Sequence, residues 1–193
     1  AGVRVAVLDG GINENHLDLA GQVDVACSAS FVPHYDFHED TGGFWHGSHV
    51  AGIVAAADND FGIVGVAPDA TIMGVKVLHD GGGSFGWLIG GLLFASDPVS
   101  FPGYEGCQKA DIINMSLSGA WFKNGAQGYH ALVTRAINFA ASKGVLAVSA
   151  AANNGVNTQD YPALTIIPAM AGSGIAVSAT GPLGWHATGN TDF

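Results

Sequence analysis

The first feature of this sequence that could do chemistry is a pair of histidines at the start of a segment of small residues. His46 and His49 open a run to Ala56 that contains no charged side chain and is rich in alanine, glycine and valine. This composition predicts a helix that is buried on most sides. An imidazole at its mouth can exchange protons near neutral pH, so we predict His46 as a general base. The residues alone also allow two hydrogen-bonded core histidines, or a metal-binding pair three residues apart.

Three polar or glycine-rich turns follow apolar runs that are typical of buried strands. They contain Asp9, Ser116 and Asn153. Each has an ordinary explanation, because turns commonly use Asp, Asn, Ser and Gly. Taken together with His46, however, a carboxylate, an imidazole and an amide are the orienting group, the base and the oxyanion donor of acyl transfer. Only a nucleophile is missing from this set.

These side chains require a scaffold of alternating strands and helices. The predicted strands are Val3 to Leu8, Thr71 to Leu78, Asp111 to Leu117, Val145 to Ala151 and Ile175 to Ala179. A helical apolar stripe runs from Tyr129 to Ala140, and a weaker one from Trp87 to Ala95. Such alternation predicts an α/β fold with a parallel sheet that is covered on both faces. Ligands of such sheets bind beyond the carboxyl ends of the strands, where the three turns fall.

Composition restricts the class of protein. The chain has 193 residues, of which 48% are hydrophobic and 11% charged, and this suits one domain with a large core. A formal charge of -10 with only six Lys and Arg residues argues against nucleic acid as a partner. No apolar run reaches the roughly 18 residues that a membrane span needs. Cys27 and Cys107 are compatible with one disulfide or with two free, buried thiols.

In their order along the chain, the motifs resemble those of the subtilisin-like serine proteases, the subtilases. The family's aspartate, histidine and oxyanion motifs are matched by Val5-Ala-Val-Leu-Asp9-Gly-Gly-Ile12, His46-Gly-Ser-His-Val-Ala-Gly52 and Ser149-Ala-Ala-Ala-Asn153-Asn-Gly155. The sequence departs from these motifs at Gly10 (usually Ser or Thr), Ser48 (usually Thr) and Ala152 (usually Gly). The resemblance runs essentially from end to end. It implies a three-layer fold with a mostly parallel central sheet and helices on both faces.

The resemblance implies a secreted, extracellular serine endopeptidase with an Asp-His-Ser triad. Asp9 would orient the imidazole of His46 and stabilise its protonated form. His46 would take the proton of the nucleophile and return it to the leaving amine. The side-chain amide of Asn153 would donate a hydrogen bond to the tetrahedral oxyanion.

The resemblance also implies a groove for a polypeptide substrate, which would pair by main-chain hydrogen bonds with Gly81, Gly82, Gly83, Ser116, Leu117 and Ser118. Phe85, Leu88 and Leu117 would form the pocket for the fourth residue before the scissile bond, although simple core packing would explain them as well. The primary pocket would be bounded by Ala150, Ala151, Ala152, Leu117, Ser118 and Gly119, with Ile166 near its floor.

A structural calcium ion is implied as well. Its ligands would be the side chains of Asp18 and Asn59 and the carbonyl oxygens of Ala57, Phe61 and Ile63. Such an all-oxygen set is the kind that calcium prefers.

The family's nucleophile motif, of the type Gly-Thr-Ser-Met-Ala, does not occur among the 193 residues. We therefore expect residues 1–193 to be a single subtilase catalytic domain, truncated at both ends, whose partner is its own C-terminal segment with the nucleophilic serine. The alternative is a non-catalytic, protease-like module that binds peptides. The presence of Asp9, His46 and Asn153 together favours the endopeptidase, because a module that only binds has no need of all three.

Overall fold

A computed structural model describes residues 2–41 and 43–180. The strands are β1 (Arg4–Asp9), β2 (Ala29–Ser30), β3 (Thr71–Lys76), β4 (Leu78–His79), β5 (Gly82–Gly83), β6 (Ile112–Met115), β7 (Gly119–Phe122), β8 (Leu146–Ala150), β9 (Leu164–Ile167) and β10 (Ile175–Val177). The helices are α1 (His46–Ala55), α2 (Phe85–Ser96) and α3 (Lys123–Ser142). The domain predicted over residues 1–193 also includes residues 1, 42 and 181–193, which lie outside the described residues.

The central sheet has six strands in the order β10-β8-β6-β1-β3-β2, and every neighbouring pair is parallel. β1 and β3 run side by side with Asp9 opposite Lys76. This sheet confirms the predicted α/β fold. Two antiparallel pairs, β4 with β5 and β7 with β9, were not predicted, because their short glycine-rich or aromatic segments lack the alternation of a longer strand.

One face of the sheet is covered by α2 and α3. Its main core cluster contains Ala6 and Leu8 of β1 together with apolar residues of both helices. α3 begins earlier than its apolar stripe suggests and ends at Ser142, followed by Lys143 and by Gly144, which takes a positive φ of 73°. Such a glycine ends a helix at little steric cost.

α1 covers the other face, where Val5, Val7 and Ile72 pack against it. The alternation of β1 residues between the two clusters follows from the two-residue period of a strand. A side chain at Gly47 would collide with the carbonyl oxygen of Gly11, so α1 starts directly on the turn that follows Asp9. The helices therefore lie on both faces, as predicted.

A disulfide joins Cys27 to Cys107, with 5.5 Å between the two Cα atoms. This resolves the alternatives that the sequence left open. The bond closes a loop of 80 residues. On the chain-entropy estimate, such a link stabilises the folded state by about 4–5 kcal/mol, because it restricts the unfolded chain. None of the helices in the described segments is long and apolar enough to cross a membrane.

Candidate active site

Asp9 ends β1 at the carboxyl edge of the sheet. Its side chain is only 1% exposed, and its Oδ1 accepts a hydrogen bond of 2.7 Å from the backbone N–H of Gly10. A buried carboxylate must be paired or hydrogen-bonded to remain charged. The following residue, Gly11, has a φ of 123°, which a residue with a side chain rarely adopts, so the chain can turn sharply beneath the carboxylate.

His46 is the first residue of α1 and meets Asp9 directly. Its Nδ1 lies 2.9 Å from both Oδ1 and Oδ2 of Asp9. A carboxylate can only accept, so Nδ1–H donates, and this fixes the tautomer with Nε2 as the free basic nitrogen. The side chain of His46 is 48% exposed, and the residue lines a cleft. Nε2 can therefore exchange a proton there with a bound group.

The hydrogen bond that His46 donates to Asp9 is the largest cause of the raised pKa of His46. Partial burial opposes this rise, and the charges of Asp9 and Asp40 add to it. The imidazolium form is therefore stabilised, as a base that must hold a proton during turnover requires.

A second carboxylate positions the start of α1. Asp40 Oδ2 accepts hydrogen bonds from the backbone N–H of Ser48 at 2.8 Å and from its hydroxyl at 2.6 Å. The same hydroxyl accepts a bond from the backbone N–H of Asn13. A carboxylate at the first turn of a helix satisfies N–H groups that have no partner within the helix. Asp40 was not predicted from the sequence, because it lies six residues before His46 and a local capping pattern does not extend that far.

Asn153 follows β8 and lies in the same cleft as Asp9 and His46. Ala152, directly before it, has a φ of 76°, a left-handed conformation that costs a residue with a Cβ about 1–2 kcal/mol. The cleft has a volume of about 460 Å³. All three residues predicted for catalysis therefore meet at one opening along the carboxyl edge of the sheet.

Most of the residues predicted to bind substrate also line this cleft. They are Gly81, Gly83, Phe85, Leu88, Ser116, Leu117, Ser118, Gly119 and Ala150. Four predicted residues are not part of the lining that the described residues form: Gly82, Ala151, Ala152 and Ile166.

Ile167 lines the cleft where Ile166 was predicted. The difference follows from the pairing of β7 with β9, which places Gly119 opposite Ile167 and Ala120 opposite Ile166. Successive residues of a strand point to opposite faces, so Gly119, Trp121 and Ile167 share the face that meets the cleft. The prediction was wrong by one residue along β9, and the side chain of Ile166 therefore lies on the face of the strand opposite the cleft.

The aromatic wall of the cleft includes Trp121, which was not predicted from the sequence. Trp121 lines the cleft, and its ring centroid lies 5.0 Å from that of Phe85. Phe85 in turn stacks on Tyr129 at 4.6 Å. A side chain at Gly119 would collide with the indole of Trp121, so this glycine gives the ring its place. The sequence feature that could have indicated Trp121 as a cleft residue is its position two residues after Gly119, at the end of a strand.

The predicted calcium ligands lie in one region beside α1. Asp18 is 6% exposed, and its Oδ2 accepts a bond of 3.2 Å from the backbone N–H of Ile63. Its Oδ1 is buried and has no hydrogen-bond partner among the described residues. Asn59 Oδ1 accepts from the backbone N–H of Phe61, and the N–H of Ala57 donates to the carbonyl of Asp18.

An unpartnered buried carboxylate oxygen fits a cation ligand, because its burial is costly otherwise. The described part of the chain contains no group of three or more His, Cys, Asp or Glu side chains suited to a metal. The predicted set does not need one, since it relies on carbonyl oxygens. In the same part of the chain, His46 and His49 belong to no group with a third His, Cys, Asp or Glu side chain that could complete a metal site.

Comparison with known proteins places this geometry in a family. The model of the subtilase family matches residues 1–189. Subtilisin E of Bacillus subtilis (strain 168) is 37% identical over 166 residues, which are 83% of this chain and 38% of that protein. Thermitase of Thermoactinomyces vulgaris is 36% identical over 169 residues, which are 84% of this chain and 52% of that protein.

Solved structures agree. A structure of proteases from Pseudoalteromonas arctica PAMC 21717 matches with a TM-score of 0.74 at 28% identity, over 94% of this chain and 57% of that one. The nisin leader peptidase NisP of Lactococcus lactis shares the fold, with a TM-score of 0.73 at 24% identity over 90% and 55% of the two chains. This chain thus spans about half the length of several relatives and less of Subtilisin E. It belongs to the subtilase family of serine proteases.

Proposed function

We propose that this chain supplies the acid–base pair and the oxyanion donor of a serine endopeptidase. His46 takes the proton of a serine hydroxyl as the serine attacks the peptide carbonyl, and returns that proton to the leaving amine. Asp9 holds the imidazole and stabilises its charge. Asn153 donates its side-chain amide to the oxyanion. The observation that carries this proposal is the 2.9 Å contact of His46 Nδ1 with Asp9, inside the cleft that also contains Asn153.

The decisive experiment compares two histidines of the same helix. His46→Ala in the full-length protein is expected to abolish hydrolysis of a protein substrate, whereas His49→Ala, at an exposed position that does not line the cleft, retains it. Turnover that survives in His46→Ala would refute the proposal. Substrate binding without any turnover in the unmodified protein would instead support the alternative of a peptide-binding module.

The nucleophile in this proposal comes from a C-terminal segment that packs on the α1 side of the sheet. Ser116 and Ser118 line the cleft, and the Ser173 hydroxyl donates to Asn138 Oδ1. Among the described residues, the hydrogen bonds of the His46 ring go to Asp9 and to none of these three serines. Apolar side chains of β8 and β10 are 41–50% exposed: Leu146, Ile175 and Val177. This exposed apolar surface supports a contact with another segment or chain. In that arrangement, removing the segment lowers the melting temperature of residues 1–193, and supplying it in trans restores the temperature.

We propose a polypeptide substrate with a small or medium apolar residue before the scissile bond. The side chains of Ala150 and Ile167 make this part of the cleft apolar, and among the described residues that line it Asp9 and His46 alone are ionisable. A basic side chain would therefore lose its hydration without gaining a partner, and a large ring would overfill the site at a cost of about 1–3 kcal/mol. Peptides that differ only at this position test the idea. Faster cleavage after Phe or Arg than after Ala or Leu would refute it.

Calcium would be held by Asp18, Asn59 and the carbonyl oxygens of Ala57, Phe61 and Ile63. The unpartnered Oδ1 of Asp18 supports this proposal. A bound cation neutralises the buried carboxylate and ties the loop to α1. Chelation with EGTA should lower the melting temperature, since an ion at 100 times its dissociation constant stabilises the fold by about 2.7 kcal/mol. Asp18→Asn should remove most of the response to EGTA; an equal response in both proteins would exclude this site.

The same proposal places this single catalytic domain outside the cell. The Cys27–Cys107 disulfide supports that location, because such bonds persist in oxidising compartments. The excess of 16 acidic over six basic side chains supports a polypeptide rather than a nucleic-acid partner. Recovery of the oxidised protein in the culture medium tests the location, and its confinement to the cytoplasm with free thiols would contradict it.

A further inference from the structure

Lys76 is a lysine in the centre of the fold. It ends β3, lies opposite Asp9 in the parallel sheet and is 0% exposed. Lysines are almost never fully buried unless their ammonium group is paired, because removing it from water is costly. The burial of Lys76 cannot be predicted from the sequence, because a lysine at the end of an apolar strand can equally lie at the surface.

The ammonium group of Lys76 uses its three donors on oxygen atoms of two different segments. It donates to the carbonyl of Gly10, in the turn directly after Asp9. It also donates to the carbonyl of Glu39 and the hydroxyl of Thr41, each at 2.9 Å. Thr41 N–H donates to the same Gly10 carbonyl, so the two segments are joined twice. Lys76 therefore fastens the loop 39–41 onto the turn that carries Asp9.

The same loop continues to the helix of His46. Between the two residues that Lys76 binds, Asp40 accepts from the backbone N–H and the hydroxyl of Ser48, in the first turn of α1. A continuous set of hydrogen bonds thus runs from the Asp9 turn through Lys76 and the loop to the start of α1. Both members of the Asp9–His46 pair are attached to it.

The charges around Lys76 are consistent with an ammonium group that is costly to bury. Burial lowers the pKa of Lys76, and the carboxylates of Asp40, Glu39, Asp80 and Asp9 oppose that fall. The ring of Tyr35, with its centroid 5.8 Å from Nζ, completes the surroundings. Burying the ammonium group of Lys76 lowers the stability of the fold, and such a cost is expected where the group fixes the position of its neighbours.

We propose that Lys76 is a positioning residue that holds Asp9 and His46 in their catalytic contact by clamping the loop 39–41 to the Asp9 turn. This inference rests on the proposed protease function. Lys76 does not itself line the cleft, and its ammonium group donates to Gly10, Glu39 and Thr41 rather than to the imidazole or to Asp9, so it acts on the pair through these three residues. The competing explanation is that it stabilises the fold without affecting the pair.

The direction in which the pKa of His46 changes in Lys76→Met distinguishes the loss of a nearby charge from the loss of the Asp9 contact. Loss of a nearby positive charge alone would raise this pKa further, because the imidazolium would feel one less repulsion. Loosening of the Asp9 contact would lower it towards 6.5, because that hydrogen bond is the main cause of its rise. We expect it to fall in Lys76→Met, measured by NMR titration of the ring proton. A rise, or no change, in the folded variant would overturn the proposal.

Turnover gives a second measurement in the full-length protein. Misplaced catalytic groups should reduce kcat of Lys76→Met by roughly 10- to 100-fold while KM changes little. Lys143→Met, which breaks the exposed ion pair with Asp97, is the matched control and should retain kcat. An unchanged kcat in a folded Lys76→Met, well below its melting temperature, would show a purely structural role.

Thr41 provides a test that avoids a cavity at the buried site. Thr41→Val removes one acceptor of Lys76 and should lower both kcat and the pKa of His46, whereas Thr41→Ser keeps the hydroxyl and should restore them. If Lys76→Met does not fold, the comparison of Thr41→Val with Thr41→Ser tests the proposal instead. Equal kcat and equal pKa of His46 in these two variants would overturn it. If the unmodified protein shows no turnover, the proposed function fails, while the pKa measurements still report on Lys76.

Discussion

The two sides of the cleft are built differently. On one side, Asp9 is 1% exposed and sits in a network of hydrogen bonds that includes Lys76, the loop 39–41 and the start of α1. On the other, Asn153 belongs to an exposed surface loop and follows Ala152 in a left-handed conformation. Asp9, of the proposed acid–base pair, is thus held by burial and hydrogen bonds, whereas Asn153, the proposed oxyanion donor, depends on a loop.

This difference has a physical basis. The carboxylate of Asp9 acts more strongly on the imidazole because Asp9 is buried at the sheet edge, while about half of the His46 side chain stays exposed to the cleft. An amide carries no charge and can remain at the surface. The backbone of its loop is tied to the sheet just before Asn153, by the bond of 2.8 Å from the N–H of Ala151 to the carbonyl of Val177. Substitutions on the Asp9 side should therefore reduce turnover severely, and substitutions on the Asn153 side should reduce it less.

The largest effect is expected for Asp9→Asn. The amide can donate to Nδ1 and so stabilise the wrong tautomer of His46, while the charge that favours the imidazolium is lost. We expect kcat of the full-length protein to fall by about 10⁴-fold with the fold intact, as in other triads. Asp97→Asn, which weakens the ion pair with Lys143 and the hydrogen bond from the Ser100 hydroxyl, is the control, because none of these residues lines the cleft. A loss of less than about tenfold would contradict the role of Asp9 as the orienting group.

Asn153→Ala should be less damaging. It removes one oxyanion donor and leaves the backbone and the acid–base pair in place, so kcat should fall by about 10²–10³-fold with little change in KM. Asn154→Ala changes the neighbouring exposed residue and should be nearly neutral. Were Asn153→Ala as damaging as Asp9→Asn, the contrast between a buried side and a loop side would be wrong for catalysis.

The sequence was sufficient for the parts of the site that depend on local signals. Asp9, His46 and Asn153 each follow or open an element with a clear period, and the parallel sheet brings their ends to one edge. The fold class followed from the same alternation and was confirmed. Phe85 and Leu88 were expected from the resemblance to subtilases rather than from a local pattern, and both lie in the first turn of α2 and line the cleft.

What the sequence could not provide was contact between distant segments. The Lys76 network joins residues 10, 39, 41 and 76, and no local pattern reveals that these meet. Ile167 replaced Ile166 because the register of β9 against β7 is a tertiary property, and one step reverses the face. The disulfide could not be assigned from two cysteines for the same reason.

The pH dependence of stability tests the buried side of the comparison. The pKa of His46 is raised in the folded state above its ordinary value of 6.5, so the folded protein binds the proton more tightly than the unfolded one. The resulting stabilisation is fully present below about pH 6.5 and is lost as the pH rises through the folded-state pKa. Urea unfolding of the wild type and His46→Gln should differ most at about pH 6 and converge at about pH 9. Parallel curves across this range would show that the Asp9 contact does not survive in solution.

The smallest effect is expected at Ala152, on the loop side. Its φ of 76° is costly for alanine by about 1–2 kcal/mol, whereas glycine adopts it freely. Glycine also loses more conformational entropy on folding, by about 0.5–1 kcal/mol, so Ala152→Gly should raise the free energy of unfolding by about 0.5–1 kcal/mol. Ala151→Gly, one position earlier, lacks this relief and should destabilise by a similar amount. Urea unfolding of the two variants measures the difference. If both destabilise equally, the left-handed conformation at Ala152 carries no strain and the loop is as well ordered as the Asp9 turn.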